Sequence, residues 1–178
     1  MKKISAVFLL AIFSGLAFTY INKQNVSKSA ITFQIKNLGI NVNGSFNGLK
    51  ADINFDPENL NSSSIEATVQ SNTINTDNES RDKHLKSEDY FDVDKYPEIK
   101  MKSVSIKHNG GSNYTGTFNL TIKDKTNQVQ IPFTYAENGN AANFKGTFKI
   151  KRIDYGVGGR SMVMSNDVTI SIDVSTSK

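Results

Sequence analysis

Few side chains in this sequence can do chemistry. Its 178 residues include no cysteine and two histidines. That removes thiolate nucleophiles, disulfides, thiolate metal sites and histidine-rich zinc sites together. What remains is concentrated between Arg81 and Lys100, "RDKHLKSEDYFDVDKYPEIK". His84 and Glu88 are four apart and share one face of any helix, with Asp82 nearby, which is the layout of a general base and an orienting acid. Ser80 and Ser87 adjoin them, but neither sits in a nucleophile elbow. The same stretch offers Glu88, Asp89, Asp92 and Asp94 as oxygen donors for a cation, without the glycine that calcium loops use. A third reading is mechanical: a polar helix anchored by Leu85, then Phe91, Val93 and Tyr96, clasps the end of a β-shell. Surface ion pairs there contribute only ~0–1 kcal/mol each, while a fully buried ring contributes ~1.5–3 kcal/mol. We favour the clasp.

Other candidates lie apart. Arg152 and Asp154, two apart on a strand, share a face. An inward Arg152 offers a charge to an oxygen of a bound molecule; an outward one makes a surface pair. "GVGGR" permits an unusual turn but lacks phosphate-loop spacing. Met162 and Met164 suit either a ligand path or core packing. His108, before an Asn-Gly-Gly turn, is expected to be exposed.

The elements that must position these groups are strands. Apolar and polar residues alternate through Phe33–Ile35, Leu49–Phe55, Ile65–Val69 and Tyr114–Ile122. The alternation returns through Val129–Tyr135, Phe144–Ile150 and Val168–Val174. Turn residues separate the runs at "DPEN", "HNGG", "KDKTN" and "ENGN". Eight or nine half-buried strands with short turns predict an all-β sandwich or closed antiparallel barrel. Only the segment from Thr76 to Tyr90 breaks the period. Thr76 and Glu79 have capping-box spacing, which predicts a short helix starting there.

The first residues, "MKKISAVFLLAIFSGLAF", read as a positive n-region and an apolar h-region, with a small-x-small site at Gly15-Leu16-Ala17. The expectation is a signal peptide over 1–17, or an uncleaved membrane anchor to about 21, long enough to span a bilayer. Residues 18–28 read as a polar linker and 29–176 as the barrel domain. The formal charge of +4 comes with no basic run interleaved with aromatics, so no nucleic-acid partner is expected.

Several features together resemble the YceI-like polyisoprenoid-binding family: Thr76, "RDKHL" (Arg81 to Leu85), "FDVDKYP" (Phe91 to Pro97), "KRIDYG" (Lys151 to Gly156), the opening from Ser29 and the hairpin "GTFNLTIKDKTNQVQIPF". Tyr155 stands where phenylalanine is frequent in that family. The likeness runs from Ser29 to Val174. It implies a lipocalin-like antiparallel β-barrel of about eight strands with a short helix near one mouth, exported to the periplasm. It also implies an apolar lumen holding a polyprenyl phosphate or quinone tail, with no enzymatic activity and no cofactor beyond such a lipid. Membrane proximity and a monomer or homodimer go with it.

The lumen residues expected from the inward faces are Phe33, Ile53, Val69, Phe118 and Leu120, with Phe133, Phe148 and Ile170 opposite. Leu85 and Phe91 cover them, and Arg81, His84 or Arg152 meets the polar head. The small inward residues Ala51, Ala67, Gly116 and Gly146 either leave room for a chain or merely satisfy tight packing. Two rivals stand beside this reading: a filled barrel whose surface binds a protein partner, and a hydrolase centred on His84.

Overall fold

The computed structural model describes residues 23–177. The expected signal or anchor segment lies outside them. The strands are β1 (Lys23–Asn37), β2 (Ile40–Phe46), β3 (Lys50–Asn54), β4 (Ser64–Gln70), β5 (Glu98–Gly110), β6 (Asn113–Ile122), β7 (Lys125–Asn138), β8 (Ala141–Lys151) and β9 (Met164–Ser177). Among the described residues one α-helix, α1, spans Glu79–Lys86. Every pairing is antiparallel, and β1 pairs with β9 to close the sheet on itself. β2 and β3 pair with opposite ends of β1, Ile31–Asn37 and Lys23–Gln24. They therefore act as one interrupted strand, and the shell is an eight-stranded closed barrel. Closure leaves no long open edge to template aggregation.

The barrel has two unlike ends. The lower end carries Lys23, Ser177 and the turns at Gly111 and Gly139. The upper end carries the β1–β2 turn, the long segment between β4 and β5 that includes α1, and the segment between β8 and β9.

Residues 23–28, read above as linker, are the first half of β1. Two features hide this strand in the sequence. Its inward residue is polar: Gln24 is buried, and its Oε1 accepts a 2.6 Å hydrogen bond from Thr176. A register shift between Val26 and Lys28 then breaks the alternation.

The floor of the interior is filled. Phe55, which leaves β3 at the lower end, is 1% exposed and is met by the rings of Tyr114, Phe133, Tyr135 and Phe144 at 4.7–6.1 Å between centroids. Such contacts add ~0.5–1.5 kcal/mol each beyond the area they bury. The inward glycines serve this packing. A Cβ on Gly116 would stand 2.2 Å from the ring of Phe118, and one on Gly146 would stand 3.1 Å from the Pro132 carbonyl oxygen. They make room for neighbouring rings and backbone.

Candidate ligand cavity

Above the aromatic plug the barrel is hollow. A cavity of about 200 Å³ lies under the upper end, walled by Phe33, Ile35, Val69, Met101, Leu120 and Phe148, with Ile170 and Ile172 completing the ring. A narrower chamber of about 80 Å³ continues below it, between Ala51, Ile53, Phe118 and Phe133. The two share Ile31, Leu49, Ala67, Met101 and Ile172 as walls. They form one elongated lumen that stops at the ring plug. Ala51 and Ala67 provide the space at the join, as the small inward residues allowed. An apolar cavity of even ~150 Å³ stays dry and takes up hydrocarbon.

The upper cavity is roofed by the segment between β4 and β5. Asn78, not Thr76, caps α1: its side chain accepts from the Arg81 backbone N–H at 2.9 Å. Glu79 and Asp82 stand in the first turn and Lys83, His84 and Lys86 in the last, the order that suits the helix dipole. α1 buries no residue fully, so docking must hold it.

Thr76 is the centre of that docking. It is buried; its N–H and hydroxyl both donate to Asp82 Oδ1, while Arg81 Nε and Nη2 donate to its Oγ1 and carbonyl at 2.7 and 2.6 Å. Backbone bonds at 2.8 and 3.0 Å tie Asn75 to Ser45 of β2. Ser71 donates to the Pro97 and Tyr96 carbonyls at 2.8 and 2.7 Å, pinning the two feet of the segment together. Leu85 and Phe91 then face the lumen, and Phe91 meets Phe46 edge-on at 5.5 Å.

Arg152 is not on a strand face with Asp154. Both belong to a single 3-10 turn, Arg152–Tyr155, after β8. Arg152 is 4% exposed and borders the cavity. Its Nε donates to the Ser165 carbonyl, and its Nη1 to those of Val157 and Gly159, at 2.8–3.0 Å. Burial pushes the guanidinium down from its ordinary pKa. Its ordered contacts staple the β8–β9 segment shut. Gly158 sits against it at φ +67°, where a Cβ would come within 2.8 Å of the Tyr90 ring. Only glycine takes both the backbone angle and the contact.

His84 stands on the exposed side of α1, its ring edge-on to Tyr90 at 4.8 Å, and does not border the cavity. Asp82 is engaged by Thr76 rather than by His84, and Glu88 lies past the end of α1 at Lys86, so neither acid–base pairing read from the spacing is assembled on one helical face. Among the described residues no three acidic or histidine side chains gather as a metal site. His108 is exposed and stacks on Tyr114 at 4.8 Å. The other expected lumen residues all border one chamber or the other: Ile53, Phe118 and Phe133 the lower, and Phe33, Val69, Arg81, Leu85, Phe91, Leu120, Phe148, Arg152 and Ile170 the upper. Composition could not show Thr76 as the keystone; its buried contacts come from residues five and six further on.

Known proteins share this architecture. A UPF0312 protein of Pseudomonas paraeruginosa is 34% identical over 135 residues, covering 71% of this chain and 70% of the relative. The crystal structure of BcnA from Burkholderia cenocepacia superposes with a TM-score of 0.81 at 27% identity, over 85% of this chain and 98% of BcnA. A structure described as a polyisoprenoid binding domain from Saccharophagus degradans shares the fold, with a TM-score of 0.63 at 12% identity over 87% of this chain and 97% of that one. The YceI-like domain family matches residues 23–176, the whole barrel. The chain belongs to the YceI-like domain family.

Proposed function

We propose that this protein is an exported binding or carrier protein that holds a lipid with a long isoprenoid tail, of the polyprenyl phosphate or quinone type, in its upper lumen. The observation that carries the reading is the apolar two-chamber lumen, dead-ended by rings below and roofed by a docked polar segment above. Each methylene-sized group buried there is worth ~0.8 kcal/mol, so even a partly inserted tail binds usefully. The isoprenoid class comes from the neighbour described as a polyisoprenoid binding domain. A filled scaffold would have continuous packing where the upper chamber lies.

The tail lies along Ile170, Leu120 and Phe148, with its end near Ala67. Arg152 borders the lumen with a buried Nη2 that has no partner among the described residues, and is the better seat for a polar head than Arg81, whose Nε and Nη2 are spent on Thr76. Binding without turnover fits a His84 that stands exposed on α1, away from the lumen. Export through the N-terminal segment and residence in the periplasm complete the reading. N-terminal sequencing of the exported protein separates cleavage after Ala17 from a retained anchor.

Displacement of an environment-sensitive probe by geranylgeranyl phosphate, geranylgeraniol and palmitate tests the proposal. Both isoprenoids should displace it, and Ala67→Leu should weaken them at least ~10-fold. Failure of every lipid to compete, or an unaffected Ala67→Leu, would contradict it.

A further inference from the structure

The upper end carries an apolar rim that the lumen does not use. Leu38 and Ile40, at the β1–β2 turn, are 70% and 69% exposed; Met162 and Val163, before β9, are 103% and 52% exposed. They belong to one surface, because Leu38 N–H donates to the Val163 carbonyl at 2.8 Å and Asn37 pairs with Met164. That surface is continuous with the cavity, whose walls include Asn37 and Met164, the immediate neighbours of Leu38 and Val163. Clustered exposed apolar side chains beside an apolar lumen mark an interaction surface.

Charge identifies its partner. No carboxylate occurs from Ser29 to Ala51 or from Tyr155 to Asn166. The rim's ionic side chains are Lys36 and Arg160, both exposed and in no ion pair among the described residues. The roof is mixed, with Glu88, Asp89, Asp92 and Asp94 outnumbering the neighbouring Lys83, Lys86 and Lys95. One lip is apolar and basic without a carboxylate, the other carries an acidic excess. A bilayer with anionic headgroups favours the first over the second.

We propose that the Leu38–Ile40 turn and the Met162–Val163 segment form a docking surface for an anionic lipid bilayer. The four apolar side chains enter the headgroup boundary, Lys36 and Arg160 meet lipid phosphates, and the acidic roof tilts away. This seats the mouth of the lumen where a lipid tail leaves or enters the membrane, so the inference rests on the carrier reading above. Lys23 begins β1 at the opposite, lower end of the barrel. Docking therefore presents the end far from the first described residue.

The absence of cysteine permits a direct test on the full chain. A polarity-sensitive dye is placed on Met162→Cys and, separately, on Asn140→Cys at the lower end. Vesicles of phosphatidylglycerol with phosphatidylethanolamine are compared with pure phosphatidylcholine. The expected result is a blue shift, and quenching by spin-labelled acyl chains, at position 162 on the anionic vesicles. Leu38→Ser with Ile40→Ser should abolish it. Lys36→Glu with Arg160→Glu should weaken it at least ~10-fold, as should raised salt. A dye at 162 that stays in water overturns the proposal, as does a response that survives Leu38→Ser with Ile40→Ser or appears only at 140. The same dye in an Ala67→Leu background separates the two readings. Loss of isoprenoid binding with docking retained shows the rim acting independently of the lumen; loss of docking as well overturns the rim assignment.

Discussion

The two halves of this barrel are built from the same alternating strands and end in opposite states. In the lower half, rings from β6, β7 and β8 converge on Phe55, and Gln24 with Thr176 closes the floor. In the upper half the inward positions carry Ile31, Ile35, Val69, Ile170 and Ile172, and nothing projects into their midst. The difference is a single central occupant. Phe55 sits past the end of β3, where the chain turns across the floor and delivers a ring to the axis. The roof delivers Leu85 and Phe91 only to the rim of the opening. A period-two pattern states which side chains point inward, and not whether they meet.

The largest effect expected from this contrast is on stability. Phe55→Ala should cost ~3–5 kcal/mol in urea denaturation, because a fully buried ring with four ring neighbours leaves a void. Phe33→Ala, half-buried beside a space that is already open, should cost less than ~2 kcal/mol by the same measurement. Equal costs would mean that the upper half is as tightly packed as the lower.

Adding bulk should sort the halves in a second way. Gly146→Leu pushes against Pro132, Ile131 and Phe133 and should cost at least ~1–3 kcal/mol. Ala67→Leu grows into the lumen and should change stability by less than ~1 kcal/mol while removing isoprenoid binding. Comparable destabilisation by the two would erase the distinction.

The roof gives a smaller, local effect. Thr76→Val removes the hydroxyl that links Arg81 and Asp82, with an expected loss of ~1–2 kcal/mol. Amide exchange should quicken first over α1 and only later in β6 to β8. Uniform quickening would make the roof part of one cooperative unit with the barrel.

The smallest effect is on pH dependence. The Asn143 side chain donates to Asp173 and, with Lys145, holds its pKa below the ordinary value of 3.8. Because the folded value is depressed, the stabilisation is present above the unfolded value and fades as the pH falls through the folded one. Asn143→Ala should reduce the acid-side slope of stability below about pH 4 and leave neutral pH little changed. An unchanged slope would remove Asp173 from the acid response.

Most of the shell was legible in the sequence because its physics is local. Alternation and turn chemistry located the strands, and Leu85 and Phe91 were readable as docking groups. The first half of β1 was hidden because its inward side chain is Gln24, satisfied only by Thr176 across the closure. The cap was misplaced for a related reason: Thr76 has capping-box spacing, yet the helix starts later on Asn78 and Thr76 serves the tertiary contact. Arg152 looked like a strand residue, but the chain curls at that point to reach three carbonyls. His84 had the helical spacing to Glu88 for chemistry, but α1 ends at Lys86 before Glu88 is reached, and His84 is exposed. In each case the deciding partner lies across the fold or in a local turn that periodicity does not encode.

The central claim is that the upper half encloses a space filled by a lipid tail. Native mass spectrometry of the protein purified from an exporting cell, followed by organic extraction of the same sample, tests it most directly. The account predicts one isoprenoid-tailed lipid per chain, released on extraction and missing from Ala67→Leu. A wild-type protein that carries no lipid and takes up none when isoprenoids are supplied would contradict it.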